Sequence, residues 1–241
     1  MILLLHGLFS SFKKLVPLGQ RLAGNSISVP LAGHAAGTKV SSMEWKTMTE
    51  DLAYQMQRRH ITKPTAVVGS SYGGKLLISG ITSGLIPPHI PLVLIDILPI
   101  NYTYRGTLKM VDYMLGNTDR SNGKCLRTIN RIPDPMHRML LLENYQDSPD
   151  EPWACQTELI KRDIKPLSGV PPMSPPIPNP TLILRSPISH YVPIKSEAVI
   201  RKTFRNYTIE TLPNIGHWPH IECPQLCAQI INKFFIQHRS V

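Results

Sequence analysis

The sequence has few cysteines, few charged residues and few aromatic residues. Its 241 residues include 4 cysteines, 17% charged residues and 7% aromatic residues. Four widely spaced cysteines cannot form the dense disulfide framework of a small secreted protein. A chain of this length buries about three quarters of its unfolded surface, and 42% of its residues are hydrophobic. We therefore expect one large domain or two small ones, with a core that needs no covalent cross-links.

Metal-ligand sets and membrane segments are also lacking. Cys223 and Cys227 are four residues apart in a predicted helix, but no CxxC pair or histidine-rich segment completes a structural zinc site. The apolar run at residues 1–5 is far shorter than the ~20 residues of a membrane-spanning helix. No basic stretch precedes it, which argues against a secretory signal peptide. The sequence thus predicts no structural metal and no transmembrane segment.

The net charge of +10 raises the question of nucleic-acid binding. Basic residues are spread along the chain, and no run is longer than two. Nucleic-acid-binding proteins usually concentrate positive charge on one face or helix. We therefore predict a solvated basic surface and no nucleic-acid partner, with weak attraction to acidic lipids or metabolites as the alternative.

Short apolar runs typical of strands alternate with segments of helical period. The strand-like runs are residues 2–5, 26–29, 65–68, 91–95, 181–184 and 207–212. The clearest helical stripe lies in residues 44–59 and consists of Trp45, Met48, Leu52 and Met56. Ser41 and Glu44 have capping-box spacing at its start, and a second helix is expected to begin near Pro224. This alternation predicts an α/β fold, with a mostly parallel central sheet and helices on both faces.

Residues 99–180 interrupt the alternation, because they contain no clear strand. Their last ten residues, 171–180, include six prolines and favour a stiff extended connector. We interpret 99–180 as an inserted cap, and 1–98 together with 181–241 as the core domain. The apolar face of a cap helix is expected at Leu108, Val111, Met114 and Leu115. A disordered insertion is the alternative.

Residues 65–74 carry the strongest functional signal. Gly69-x-Ser71-x-Gly73 follows an apolar strand-like run directly and precedes a helical one. Side chains beside the serine would clash in such a tight strand-to-helix turn, so glycine is needed two residues to either side. The turn also places the serine hydroxyl at a helix N-terminus, where developing negative charge is favoured. The pattern predicts that Ser71 is a nucleophile.

A serine nucleophile needs a base, and the base needs an acid to orient it. His217 follows a glycine in the loop after the last predicted strand, whereas the nearby His220 is expected to be structural or exposed. No carboxylate occurs between Asp163 and Glu197, so none directly follows the strand at 181–184. Asp96 ends the strand after the elbow helix, and burial among apolar residues would be costly without a partner. We therefore predict Asp96 as the acid, with Glu197 as the alternative.

The turn after the first strand-like run completes the predicted site. His6-Gly7-Leu8-Phe9 places a glycine turn at a strand end, where a backbone N–H can face an oxyanion. We predict that the N–H groups of Leu8 and Tyr72 form the oxyanion hole. His6 is expected to brace the loop.

In this order and spacing, these motifs resemble the α/β-hydrolase superfamily. The segments at 6–9, 69–75, 95–99, 189–192 and 216–218 are most similar to the group of abhydrolase domain-containing protein eleven, YbfF-type esterases and yeast ethanol acetyltransferases. In that group an aspartate matching Asp96 often serves as the acid, and many members are mitochondrial. The chain departs from the group at Ser70 and Tyr72, where histidine and methionine are usual. It also opens at the group's third strand, which leaves a sheet edge that a dimer could cover.

The resemblance and the motifs together predict a serine hydrolase of carboxylic esters or thioesters that needs no cofactor. Its partner is a small acyl substrate, and its expected location is mitochondrial by resemblance and otherwise cytoplasmic. One alternative is an alcohol O-acetyltransferase that uses acetyl-CoA and the same three residues. A second alternative is a non-catalytic binding protein that keeps the fold.

Overall fold

All six expected strands form, and they lie in one sheet. The computed structural model describes residues 1–35, 38–148 and 150–238. The strands are β1 (Ile2–Leu5), β2 (Ser26–Val29), β3 (Ala66–Ser70), β4 (Leu92–Ile95), β5 (Ile177–Arg185) and β6 (Phe204–Thr211). Their order is β2-β1-β3-β4-β5-β6, and every neighbouring pair is parallel. The predicted fold class is therefore confirmed.

The register brings three strand ends to the same level of the sheet. Ser70, the last residue of β3, pairs with Ile95, the last residue of β4. Ile95 in turn pairs with Leu184 near the end of β5. Residues that directly follow β3 and β4 are consequently neighbours at the carboxyl edge of the sheet, where ligands bind in open parallel sheets.

Helices cover both faces of the sheet. They are α1 (Val16–Gly19), α2 (Trp45–Arg58), α3 (Tyr72–Thr82), α4 (Arg105–Gly116), α5 (Lys124–Asn130), α6 (Pro135–Asn144), α7 (Thr157–Arg162), α8 (Ile164–Ser168), α9 (Glu197–Thr203), α10 (Pro219–Glu222) and α11 (Pro224–Gln237). Short 3-10 turns occupy Phe12–Leu15, Ser121–Gly123 and Ile194–Ser196. Within the described residues, no helix is long and apolar enough to cross a membrane.

Two hydrophobic cores follow from the alternation of side chains along the strands. In β1, Leu3 and Leu5 point to the core that α2 and α3 cover, whereas Ile2 and Leu4 point to the core under α1 and α11. Each of these four side chains is at most 4% exposed. Burial of apolar surface contributes roughly 25 cal/mol per Å² and is the main force that holds such layers together.

Helix α2 begins where the hydrophobic stripe predicts, but its predicted cap is wrong. Trp45, Met48, Leu52 and Met56 are all buried in the first core. Glu44 is the N-cap residue, and no side chain caps the helix. The Ser42 hydroxyl accepts a hydrogen bond from the Glu44 N–H at 3.1 Å, and Ser41 does not take the capping position. An extended backbone at Glu44 places Ser41 too far along the chain to bond the first helical N–H groups.

The segment between β4 and β5 is helical and packs onto the core. Helices α4 to α8 lie in it, and α4 buries Met110, Val111 and Met114. Leu108 and Leu115 are half-buried against the same core. The Trp153 indole N–H donates to the Met114 carbonyl at 2.7 Å, which ties the far part of the segment to α4. The alternative of a disordered insertion is therefore wrong for the described residues.

Strand β5 starts four residues earlier than the apolar run suggested. Ile177 pairs with Phe204, and Pro180 pairs with Asn206 after a register shift. The end of the proline-rich connector, including Pro178 and Pro180, thus belongs to the sheet. Proline is tolerated here because the strand begins with an irregular stretch that does not need every N–H. The predicted cap boundary at residue 180 falls inside β5.

Candidate active site

Ser71 lies on a sharp turn between β3 and α3. Its backbone has φ 50° and ψ −123°, a conformation that L-residues rarely adopt. The turn is possible because Gly69 and Gly74 approach each other closely: a Cβ on Gly69 would lie 2.5 Å from the Gly74 backbone. A Cβ on Gly73 would lie 2.5 Å from the carbonyl oxygens of residues 5 and 6. Both glycines that the motif singles out are therefore required by close backbone approach.

The structure brings together the three side chains that the sequence proposes as nucleophile, base and acid. His217 Nε2 lies 3.1 Å from Ser71 Oγ. His217 Nδ1 lies 2.7 Å from Asp96 Oδ2. The imidazole thus bridges a hydroxyl and a carboxylate that come from the ends of two paired strands.

Asp96 is fully buried, and its carboxylate has two partners. Oδ2 faces His217, and Oδ1 accepts the Ser186 N–H at 3.0 Å. The residue also has a positive φ of 48°, which turns the chain out of β4 and aims the side chain along the sheet edge. Glu197, the alternative acid, is instead exposed and lies 4.0 Å from the Arg185 guanidinium. The geometry favours Asp96 because Glu197 does not contact the imidazole.

The turn at residues 7–10 lies beside the serine. A Cβ on Gly7 would lie 3.1 Å from Ser71 Cβ, so this turn passes directly against the elbow. Tyr72 N–H is the first of helix α3 and has no acceptor within that helix. Among the main-chain bonds of the described residues, Leu8 N–H has no backbone acceptor either. Neither predicted oxyanion donor is therefore used by regular structure, and each directly follows a residue of this close contact, Gly7 or Ser71.

Helix α6 of the inserted segment anchors this turn. The buried Asn144 amide donates to the Phe9 carbonyl at 2.6 Å and to Leu140 at 2.9 Å. Phe9 has a left-handed φ of 59°, which is unfavourable for an aromatic residue. The amide contact anchors the Phe9 carbonyl and so stabilises this backbone conformation. Nothing in the sequence singles out Asn144, because its partner is 135 residues away.

Three other histidines, His6, His34 and His220, are buried in the protein. His6 Nε2 accepts the Leu31 N–H at 3.0 Å and so braces the loop after β2, as expected. The His6 and His34 rings meet edge to face at 5.5 Å. His220 is buried, and its Nδ1 lies 3.4 Å from the Ser70 hydroxyl. Burial lowers the pKa of His6 and His220 to about 3 and that of His34 to about 4. These rings are neutral near pH 7, so none competes with His217 as a charged group.

Lys75 is a buried cation at the end of the 69–75 segment, and the sequence predicts no role for it. Its side chain is 2% exposed, and its ammonium donates to the carbonyls of Ser168 and Gly169 at 3.2 and 2.6 Å. The ammonium also lies 4.8 Å from the centre of the Tyr102 ring. Burial lowers the pKa of Lys75 to about 7. Lys75 thus connects the elbow helix α3 to the C-terminal end of α8.

A cavity of about 940 Å³ lies apart from these side chains. Val40 and Gln156 are among the residues that line it. Ser71, Asp96 and His217 do not line it. Within the described residues, no cluster of three or more His, Cys, Asp or Glu side chains is arranged to hold a metal ion. The groups at the site that can take part in chemistry are its hydroxyl, imidazole, carboxylate and backbone N–H groups.

The sequence model of the alpha/beta hydrolase family matches residues 2–230. The chain belongs to this family. It is 27% identical to the sn-1-specific diacylglycerol lipase ABHD11 of Danio rerio over 241 residues, which cover 92% of this chain and 74% of that protein. It is 25% identical to the protein of the same name from Mus musculus, with 97% and 80% coverage.

A solved structure, described as a marine microorganism esterase, has a similar fold. The two chains superpose with a TM-score of 0.84 at 23% identity, and the match covers 97% of this chain and 94% of the other. At this identity the likeness supports the fold.

Proposed function

We propose that the protein hydrolyses carboxylic esters through an acyl-enzyme, with Ser71 as nucleophile, His217 as base and Asp96 as acid. The observation that supports this proposal most directly is the position of His217. Its ring nitrogens lie 3.1 Å from the Ser71 hydroxyl and 2.7 Å from the Asp96 carboxylate. Relatives named as diacylglycerol lipases support the ester class. Family membership supports hydrolysis as the reaction type.

The contacts of His217 determine how the proton moves. Asp96 can only accept at Oδ2, so Nδ1 carries the hydrogen and Nε2 is free to accept. Nε2 takes the Ser71 proton as Oγ attacks the carbonyl carbon, and an imidazolium forms beside the carboxylate. His217 then returns this proton to the leaving alcohol. In the second half of the cycle it takes a proton from the water that attacks the acyl carbon. It then gives this proton to Ser71 Oγ as the acyl–Oγ bond breaks, which releases the acid and restores the free serine.

The oxyanion is stabilised by backbone N–H groups in this proposal. Tyr72 directly follows Ser71, and Leu8 follows Gly7, which packs against Ser71; neither N–H is used by the sheet or by helix α3. Fixed donors of this kind contribute most when charge develops on the carbonyl oxygen, and removal of one typically costs ~10²–10³ in rate. The N-terminus of α3 adds a favourable dipole at the same place. No cofactor takes part in these steps.

The test compares two neighbouring serines. Wild type, Ser71→Ala and Ser70→Ala are assayed with a short p-nitrophenyl ester and labelled with a fluorophosphonate probe. We expect Ser71→Ala to lose at least ~10³-fold in kcat/KM and all labelling. Ser70→Ala is the matched control, because Ser70 is buried against His220 rather than His217. Full hydrolysis by Ser71→Ala would refute the proposal, and a folded wild type inert to the probe would favour a binding protein.

Acyl transfer is distinguished in the same preparation. Incubation with acetyl-CoA and ethanol yields ethyl acetate if the alcohol attacks the acyl-enzyme, and acetate if water does. We expect acetate. The mitochondrial location, the dimer at the β2 edge and the absence of a nucleic-acid partner stay predictions from the sequence.

A further inference from the structure

The imidazole of His217 has an aromatic neighbour that the triad does not include. The Tyr191 ring stacks on it with centroids 3.8 Å apart and an angle of 17° between the planes. The Trp218 ring meets the same imidazole edge-on at 5.2 Å. The other groups that face His217 are Asp96, Ser71 and the neutral His220.

Tyr191 is held in place by a second tyrosine from the loop after β4. The Tyr102 hydroxyl donates to the Tyr191 carbonyl at 2.8 Å and accepts the Leu98 N–H at 2.9 Å. The two tyrosine rings also contact each other at 5.1 Å. Asp96 lies in the same loop as Leu98, so one hydroxyl links the chain that carries the acid to the chain that carries the stacking ring.

Hydrogen bonds alone leave the orientation of the His217 ring incomplete. Nδ1 and Nε2 define a line through the ring, and the ring can still tilt about that line. When Ser71 is acylated, Nε2 also loses its partner, and only the bond to Asp96 remains. A parallel ring at 3.8 Å restricts the tilt throughout the cycle. An aromatic face also attracts the imidazolium that forms during proton transfer.

We propose that Tyr191 is a positioning residue for His217 and that Tyr102 holds Tyr191 in the stacked position. This inference rests on the proposed ester hydrolysis for its kinetic consequences, but the ring orientation itself is independent of it. Burial and the Asp96 carboxylate raise the pKa of Tyr191, so its phenol is neutral at working pH. The effect of the stack therefore comes from the aromatic face and not from a tyrosinate charge.

The test separates the ring from its hydroxyl. Tyr191→Phe keeps the aromatic face, Tyr191→Leu removes it, and Tyr102→Phe removes the bridging hydroxyl. For Tyr191→Leu we expect kcat to fall ~10-fold with KM changed less than twofold, and the acidic limb of the kcat/KM profile to move ~0.5 pH unit lower. Tyr191→Phe should keep the wild-type kcat and the wild-type position of the acidic limb. Tyr102→Phe should lower kcat by a smaller factor, about threefold, because the ring remains.

NMR spectroscopy tests the orientation of the His217 ring without any measurement of catalysis. The Nδ1 proton of His217, bonded to Asp96, should give a downfield NMR signal in wild type and Tyr191→Phe that broadens in Tyr191→Leu. Tyr207→Leu, a half-buried tyrosine on β6, is the control for lost packing and should leave that signal and the pH profile unchanged. An unaltered signal and kcat in Tyr191→Leu would overturn the inference. If wild type shows no Ser71-dependent hydrolysis, the proposed function fails, and the NMR signal still tests the positioning.

Discussion

Mild acid should destabilise this protein, because three of its histidines are buried without charge. His6, His34 and His220 are at most 3% exposed. Burial lowers their pKa values from 6.5 to about 3, 4 and 3, respectively. Below pH 6.5 the unfolded chain therefore binds protons that the folded chain does not, and unfolding becomes more favourable. Their contribution to stability is complete above pH 6.5 and is lost as the pH falls towards the folded-state values.

The magnitude follows from the difference in proton binding. Between pH 6.5 and pH 5.5, each neutral buried histidine lowers the free energy of unfolding by about 1 kcal/mol. The three together should remove ~3 kcal/mol, a large part of the roughly 5–15 kcal/mol that stabilises a typical domain. Carboxylates contribute little in this window, because they titrate mostly below it.

Urea denaturation at half-unit steps between pH 7.0 and pH 5.0 measures this effect. His34→Gln should reduce the pH dependence by about a third, because it removes one of the three groups. The exposed His89→Gln is the matched control and should leave the dependence unchanged. A free energy of unfolding that falls by less than ~1 kcal/mol over the window from pH 6.5 to 5.5 would show that the reasoning is wrong.

Four further substitutions test other contacts. Asp96→Asn should keep the fold but lower kcat ~10³–10⁴-fold, because the imidazole loses its orienting charge; esterase kinetics with circular dichroism check this. Gly69→Ala should cost more than ~2 kcal/mol, because its Cβ would lie 2.5 Å from the Gly74 backbone; a thermal midpoint close to wild type would contradict this. Asn144→Leu should lower kcat ~10-fold and stability by ~1–3 kcal/mol, because the Phe9 carbonyl loses its buried donor; an unchanged kcat would remove its role. In wild type, the free energy of unfolding should rise by ~2–3 kcal/mol between pH 7 and 9, because the folded lysine loses its proton near pH 7 and the unfolded lysine keeps it. Lys75→Met should abolish this rise, and urea titrations at both pH values measure it.

Local sequence patterns were sufficient for the sheet and for the elbow. Each strand contains a short apolar run, and β1, β3 and β4 are buried along their whole length, which is typical of a parallel sheet covered on both faces. Gly69 and Gly73 are needed by contacts within a few residues of Ser71 or with the adjacent strand. The first residue of β5 could not be predicted from local patterns, because the prolines at its start are typical of a connector. They belong to the sheet only because they pair with β6.

The sequence by itself determined the fold class, the approximate positions of the six strands and the sharp turn at Ser71, because these depend on local hydrophobic period and on glycine spacing. It also reduced the acid to two residues by the absence of other carboxylates. Only the tertiary structure decided that Tyr191 stacks on His217, that Asn144 holds the turn beside Ser71 and that Lys75 connects α3 to α8. These contacts join residues from distant parts of the chain, and their geometry exists only once the sheet edge has brought the loops together.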